Sequence, residues 1–142
     1  NQYFTLWYGV YDQRSGLLQY ASAGHPPALL FTPDIQQGYV LHELKAPGLP
    51  IGLFEGVVYS TNSFCIEPGA LLYLYSDGIY EIPTSEQSMW EFEAFRRLLR
   101  ERIGRGNTDL QQLVEEIRAC TGCSSFPDDA SVIAARFTAA GP

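Results

Sequence analysis

Short apolar runs separated by turn residues fill the first half of the chain, and a helical period appears only in the second half. Residues 3–11 are rich in aromatic and β-branched side chains, residues 12–16 carry turn chemistry, and residues 17–21 resume the strand pattern, which predicts a hairpin. Pro26-Pro27 interrupts the chain before a further short run at 28–31, which Pro33-Asp34 closes. Residues 40–44 and 57–64 also read as strands. Glu67-Pro68-Gly69 is a tight turn that feeds the most strongly apolar run, residues 70–75.

From Trp90 onward, Phe92, Phe95, Leu99 and Ile103 recur at helical spacing with Arg and Glu between them. Thr108 opens a second helix through a Thr-x-x-Gln capping pattern reaching Gln111, with an apolar stripe of Leu110, Leu113, Val114 and Ile117. Residues 131–137 form a last strand after the loop at 123–129. Strands grouped first and helices later predict an α+β layered fold rather than alternating βαβ units. No repeat, low-complexity stretch or linker divides the chain, so the pattern reads as one domain.

Composition narrows the class. A chain of 142 residues can bury about two-thirds of its unfolded surface, and 46% hydrophobic with 18% charged residues is a globular balance. Sixteen acidic against nine basic side chains give a net charge of -7, the wrong sign for a phosphate backbone or an anionic membrane surface. No nucleic-acid partner is therefore expected. The run 70–75 is far short of the roughly 20 residues a membrane helix needs, so no membrane segment is expected either. The first residues lack the basic and small-residue features of a signal peptide and enter a strand-like run at once, as if the sequence began inside a domain. Three cysteines cannot all pair and suit a reducing, cytoplasmic setting. The aromatic load of two Trp, nine Tyr and eight Phe is expected to fill a sheet-rich core.

Candidate chemistry centres on carboxylates. Tyr75-Ser76-Asp77-Gly78 ends the most apolar strand in Asp followed at once by Gly. A carboxylate held at a strand end suits a hard cation, and Gly permits close backbone approach, although the same pair is common in ordinary turns. Asp128-Asp129 precedes the last strand; adjacent carboxylates repel, a cost a nearby cation relieves, and a solvated acidic loop looks the same. The two features at separate strand ends can converge at one sheet edge. His25, in Ala23-Gly24-His25-Pro26-Pro27, can line a site but lacks a neighbouring acid or nucleophile, so a turn-holding or supporting role is preferred. Cys120-Thr121-Gly122-Cys123 closes a helix instead of opening one, and a zinc site would need Cys65 and a His to complete it, so helix-end packing is preferred over metal or redox chemistry. No serine sits in a nucleophile elbow.

In order along the chain, six segments resemble the bacterial SpoIIE/RsbU-type branch of the PPM (protein phosphatase 2C-like) serine/threonine phosphatases. They are Thr5-Leu6-Trp7-Tyr8-Gly9-Val10-Tyr11-Asp12, Tyr20-Ala21-Ser22-Ala23-Gly24-His25-Pro26-Pro27, Gly48-Leu49-Pro50-Ile51-Gly52-Leu53-Phe54, Glu67-Pro68-Gly69-Ala70, Tyr75-Ser76-Asp77-Gly78-Ile79-Tyr80-Glu81 and Asp128-Asp129-Ala130-Ser131. The resemblance implies a β-sandwich with flanking helices (αββα). It also implies two Mn²⁺ or Mg²⁺ ions and hydrolysis of phosphoserine or phosphothreonine by a water the metals activate. Asp77 and Asp128 are the implied metal ligands, with Asp129 beside the latter and Gly78 as the close-approach glycine. His25, Ser76 and Glu81 are assigned supporting or structural roles.

The family's catalytic domain begins earlier, with a Gly-Asp-type strand and a Gly-Asp-Val-x-Gly-His-Gly-type segment that carry the remaining metal-bridging groups. Residues 1–142 match neither, so the sequence is expected to be an N-terminally incomplete phosphatase domain. The implied substrate is a phosphorylated anti-anti-sigma (STAS-type) regulator, with a sensor or receiver domain upstream in the full protein. The alternative is a catalytically inactive phosphatase-like module that binds such a regulator.

Overall fold

The computed structural model describes residues 2–84 and 88–139. They form β1 (Leu6–Asp12), β2 (Leu17–Ala23), β3 (Ala28–Asp34), β4 (Gly38–Leu44), β5 (Asn62–Cys65), β6 (Leu71–Tyr75), a 3-10 turn (Asp77–Ile79), β7 (Ile82–Pro83), β8 (Met89–Trp90), α1 (Phe92–Gly104), α2 (Leu110–Thr121) and β9 (Val132–Arg136). Strand orders are β1-β2-β5 and β4-β3-β6-β9, with β7 paired to β8. The chain divides into two compact units: one comprises residues up to Pro33, Val40–Leu72 and those from Ala135 onward, the other Asp34–Tyr39 and Tyr73–Ala134.

In the first unit the expected β1–β2 hairpin forms because Asp12 organises its turn. The Asp12 carboxylate accepts the Arg14 amide at 2.9 Å and the Ser15 hydroxyl at 2.7 Å, and these bonds lower its pKa. Gly16 supplies the positive φ of 69° that the turn needs. Register places Tyr8 opposite Ala21 and Tyr11 opposite Leu18; β5 adds antiparallel to β2 with Leu18 opposite Phe64. Leu18 and Tyr20 face inward and are buried, and Trp7 stacks on Tyr20 with centroids 5.6 Å apart. The other face of β1 differs from expectation. Leu6, Tyr8 and Val10 are exposed, as are Tyr3, Phe4 and Phe54, so the aromatic load fills the core only in part. Alternation sends every second residue of β1 to the opposite side of the sheet, and there these side chains stay exposed.

The strand read at 57–64 shrinks to β5. Val58 is 90% exposed, so β-branched residues there have no face to bury. The irregular stretch before β5 is tied down instead by reciprocal Phe4–Ile51 backbone bonds at 3.1 and 2.9 Å, and by the Tyr59 hydroxyl donating to the Leu49 carbonyl at 3.0 Å. β3 runs through Pro33 to Asp34, past the expected stop at 31.

In the second unit α1 buries Phe95, Leu99, Arg102 and Ile103, and α2 buries Leu113, Ile117 and Thr121. Tyr75 packs edge-on against Phe95 with centroids 4.9 Å apart, and Tyr80 meets Phe92 at 5.5 Å. The first helix starts at Phe92; Trp90 belongs to β8. The second is capped by Asp109 rather than Thr108, the Asp109 carboxylate accepting the Gln112 amide at 2.9 Å. Gly122 closes α2 in the left-handed conformation, φ 72°. Among the described residues no helix is long and apolar enough to cross a membrane.

Candidate metal centre

β6 and β9 are neighbours in their sheet, and within the second unit their facing ends carry the candidate carboxylates. Asp77 follows β6 and opens the 3-10 turn; its carbonyl accepts the amides of Tyr80 at 2.9 Å and Glu81 at 2.8 Å. Asp128-Asp129 precedes β9. The two segments meet through Ser76 and Gly78. The Ser76 hydroxyl donates to the Asp129 carbonyl at 3.1 Å and accepts the Ser131 amide at 2.9 Å, while the Ser76 amide donates to the Ser131 carbonyl at 3.0 Å. Gly78 is buried, and a Cβ there would lie 2.5 Å from the Asp129 carbonyl oxygen. What approaches this glycine closely is therefore the Asp129 backbone.

Asp77 and Asp128 share one local geometry. Asp77 Oδ1 accepts the Gly78 amide at 3.0 Å, and Asp128 Oδ1 accepts the Asp129 amide at 2.7 Å. Each carboxylate thus has one oxygen pinned by the amide of the next residue. Both residues are exposed, as is Asp129. Nearby, burial and then the charges of Glu81 and Asp77 push the Tyr80 phenol up to about 12.

The donor set is all oxygen, which fits a hard ion such as Mg²⁺ or Mn²⁺ and not a thiolate-seeking one. It is also partial. Among the described residues no group of three or more His, Cys, Asp or Glu gathers closely enough to hold an ion by itself. Asp77 and Asp128, each with an unpinned oxygen, are the residues that would contribute.

The other expected site residues lie as follows. Glu81 is exposed at the end of the 3-10 turn, held there through its amide. His25 belongs to the first unit, half-buried on the β2–β3 loop; its Nδ1 donates to the Pro26 carbonyl at 2.8 Å, and its own carbonyl accepts the Ser22 hydroxyl at 3.1 Å. Those bonds are what a turn-holding histidine makes. Cys65, Cys120 and Cys123 are unpaired, and the Cys123 thiol donates to the Pro83 carbonyl at 3.2 Å. Sequence reading missed Ser131 and Tyr80. Ser131 takes part through its backbone, which leaves no residue-type signal, and the Tyr80 environment exists only once α1 has packed.

The family model described as stage II sporulation protein E (SpoIIE) matches residues 1–138. The phosphoserine phosphatase RsbU of Bacillus subtilis is 27% identical over 117 residues, which is 82% of this chain and 33% of that protein. Protein IcfG of Synechocystis sp. is 33% identical over 84 residues, 58% of this chain and 13% of its own length. The chain thus spans a third or less of these relatives. Among solved structures, the RsbU and RsbW domains of a Mycobacterium tuberculosis protein superpose with a TM-score of 0.74 at 26% identity, over 97% of this chain and 37% of that one. The SpoIIE phosphatase domain of B. subtilis superposes with a TM-score of 0.64 at 17% identity, over 97% of this chain and 58% of that one. Strands and helices are therefore arranged as in PP2C-type phosphatase domains. With residues 1–138 matched, the chain belongs to the SpoIIE family, within the SpoIIE/RsbU branch of the PPM phosphatases.

Proposed function

We propose that residues 1–142 are part of a metal-dependent protein serine/threonine phosphatase domain. Its substrate is a phosphoserine or phosphothreonine on a bacterial regulatory protein of the anti-anti-sigma (STAS) type. A sensor or receiver domain elsewhere in the same polypeptide governs it, in the cytoplasm. The observation that carries the reading is the Ser76–Gly78 joint, which brings the Asp77 and Asp128-Asp129 segments together in a SpoIIE-family chain. Two Mn²⁺ or Mg²⁺ ions would supply Lewis-acid stabilisation of phosphoryl charge and an activated water. Asp77 and Asp128 would hold them through their second carboxylate oxygens, Asp129 would add negative charge beside Asp128, and the flush Gly78 backbone would keep the two segments in contact. Ser76 and Glu81 would support the site without touching the reacting atoms, while His25 would hold its own turn.

Full-length protein supplied with Mn²⁺ should hydrolyse a phosphoserine peptide, and Asp77→Asn or Asp128→Asn should lower turnover by at least about 100-fold, about 3 kcal/mol of transition-state stabilisation. Residues 1–142 alone should turn over poorly, because among the described residues no group of three or more His, Cys, Asp or Glu gathers to hold an ion. That partial set also favours a second reading, a catalytically inactive module that binds the regulator. Full-length protein with no activity on any phosphoprotein would leave only that one.

A further inference from the structure

We propose that Ser76 is a positioning residue that sets the spacing of the two carboxylate-bearing segments; the inference rests on the metal-centre reading and deepens it. A serine hydroxyl has one proton to donate and two lone pairs to offer. Here the proton goes to the Asp129 carbonyl and one lone pair receives the Ser131 amide. Together with the bond from the Ser76 amide to the Ser131 carbonyl, one residue grips the chain on both sides of Ala130. A nucleophilic serine needs a base to take its proton. This one gives its proton to a carbonyl, so its role is to hold.

The grip continues to both carboxylates. On one side the Asp129 carbonyl is fixed by Ser76, while the Asp129 amide fixes Asp128 Oδ1 at 2.7 Å. On the other, Ser76 precedes Asp77, whose Oδ1 is fixed by Gly78 at 3.0 Å. A path of two hydrogen bonds, joined through the backbone of Asp129 and the Ser76–Asp77 peptide, therefore runs from one carboxylate-bearing residue to the other through the Ser76 hydroxyl. Past the Ser76–Ser131 backbone bond, that hydroxyl ties the two segments through its bonds to Asp129 and Ser131.

The test measures Mn²⁺ binding by the full-length protein, apart from turnover. Ser76→Ala should weaken binding by about 10-fold, as loss of a group that orients a ligand does, and Ser76→Thr, which keeps the hydroxyl, should restore parental affinity. In metal-free Ser76→Ala, hydrogen exchange should rise at the Ser131 amide while the amides of α2 stay protected. Parental Mn²⁺ affinity in Ser76→Ala, alongside lost binding in Asp77→Asn, would overturn the positioning role. Unchanged binding in Asp77→Asn would instead sink the metal-centre reading, and the inference with it. Should Ser76→Ala not fold, Ser76→Cys takes its place: a thiol accepts weakly, so reduced affinity supports the role and parental affinity overturns it.

Discussion

At the scale of single residues, close contact decides more than charge. Gly78 has no room for a methyl group, because the obstruction is the Asp129 carbonyl oxygen at 2.5 Å from an ideal Cβ, and backbone cannot swing aside as a side-chain tip can. Gly78→Ala should therefore cost about 2 kcal/mol, within the usual range for overpacking. The loss should appear as a lower urea midpoint with an unchanged slope; a parental midpoint would show that the 128–131 segment yields freely. That Asp77 and Asp128 stand beside strand ends is legible in the sequence, because a carboxylate next to a strand end is a local signal. Their partners are not. Ser76 finds the Ser131 amide 55 positions away, and a backbone amide has no residue type to read.

At the scale of elements, Arg102 joins α1 to the start of α2. Its side chain is 3% exposed, pairs with Glu116, and donates to Asn107 Oδ1 at 3.0 Å and the Asp109 carbonyl at 2.6 Å. Removing one partner of a fully buried pair costs about 3–5 kcal/mol, yet the Glu116 side chain is 43% exposed and would stay hydrated. Arg102→Met should thus lose only about 2 kcal/mol, most of it from the acceptors at Asn107 and Asp109. A double-mutant cycle with Glu116→Gln checks this: coupling under about 1 kcal/mol is expected, and coupling equal to the whole loss would refute the assignment. The helical stripe at Phe95, Leu99 and Ile103 was readable because amphipathic spacing survives packing. The cap was misplaced by one residue. Thr108 and Asp109 are both competent caps, and Asp109 holds the place while Arg102 binds its carbonyl, a contact made between helices.

At the scale of the whole molecule, composition reported how much apolar surface the chain carries and nothing about which side of a sheet it faces. Leu6, Tyr8 and Val10 alternate along β1 at 42%, 61% and 50% exposure, and β1 lies at the end of its sheet. Below the same face, Leu6, Tyr8, Ala21, Ser22, Ala23, Ile51 and Tyr59 line a cavity of about 220 Å³. A long, apolar edge strand invites pairing with another chain. The net charge of -7 opposes it. Which effect wins depends on ionic strength, since the Debye length falls from about 30 Å at 0.01 M salt to about 3 Å at 1 M while apolar attraction is not screened. Residues 1–142 should accordingly sediment as monomers at low salt and self-associate as salt rises. Placing a charge on the edge with Tyr8→Lys should keep them monomeric throughout. Association that weakened with salt would mean that ion pairs drive it, and monomers at every salt concentration would show that the -7 charge is not what keeps this face solvated.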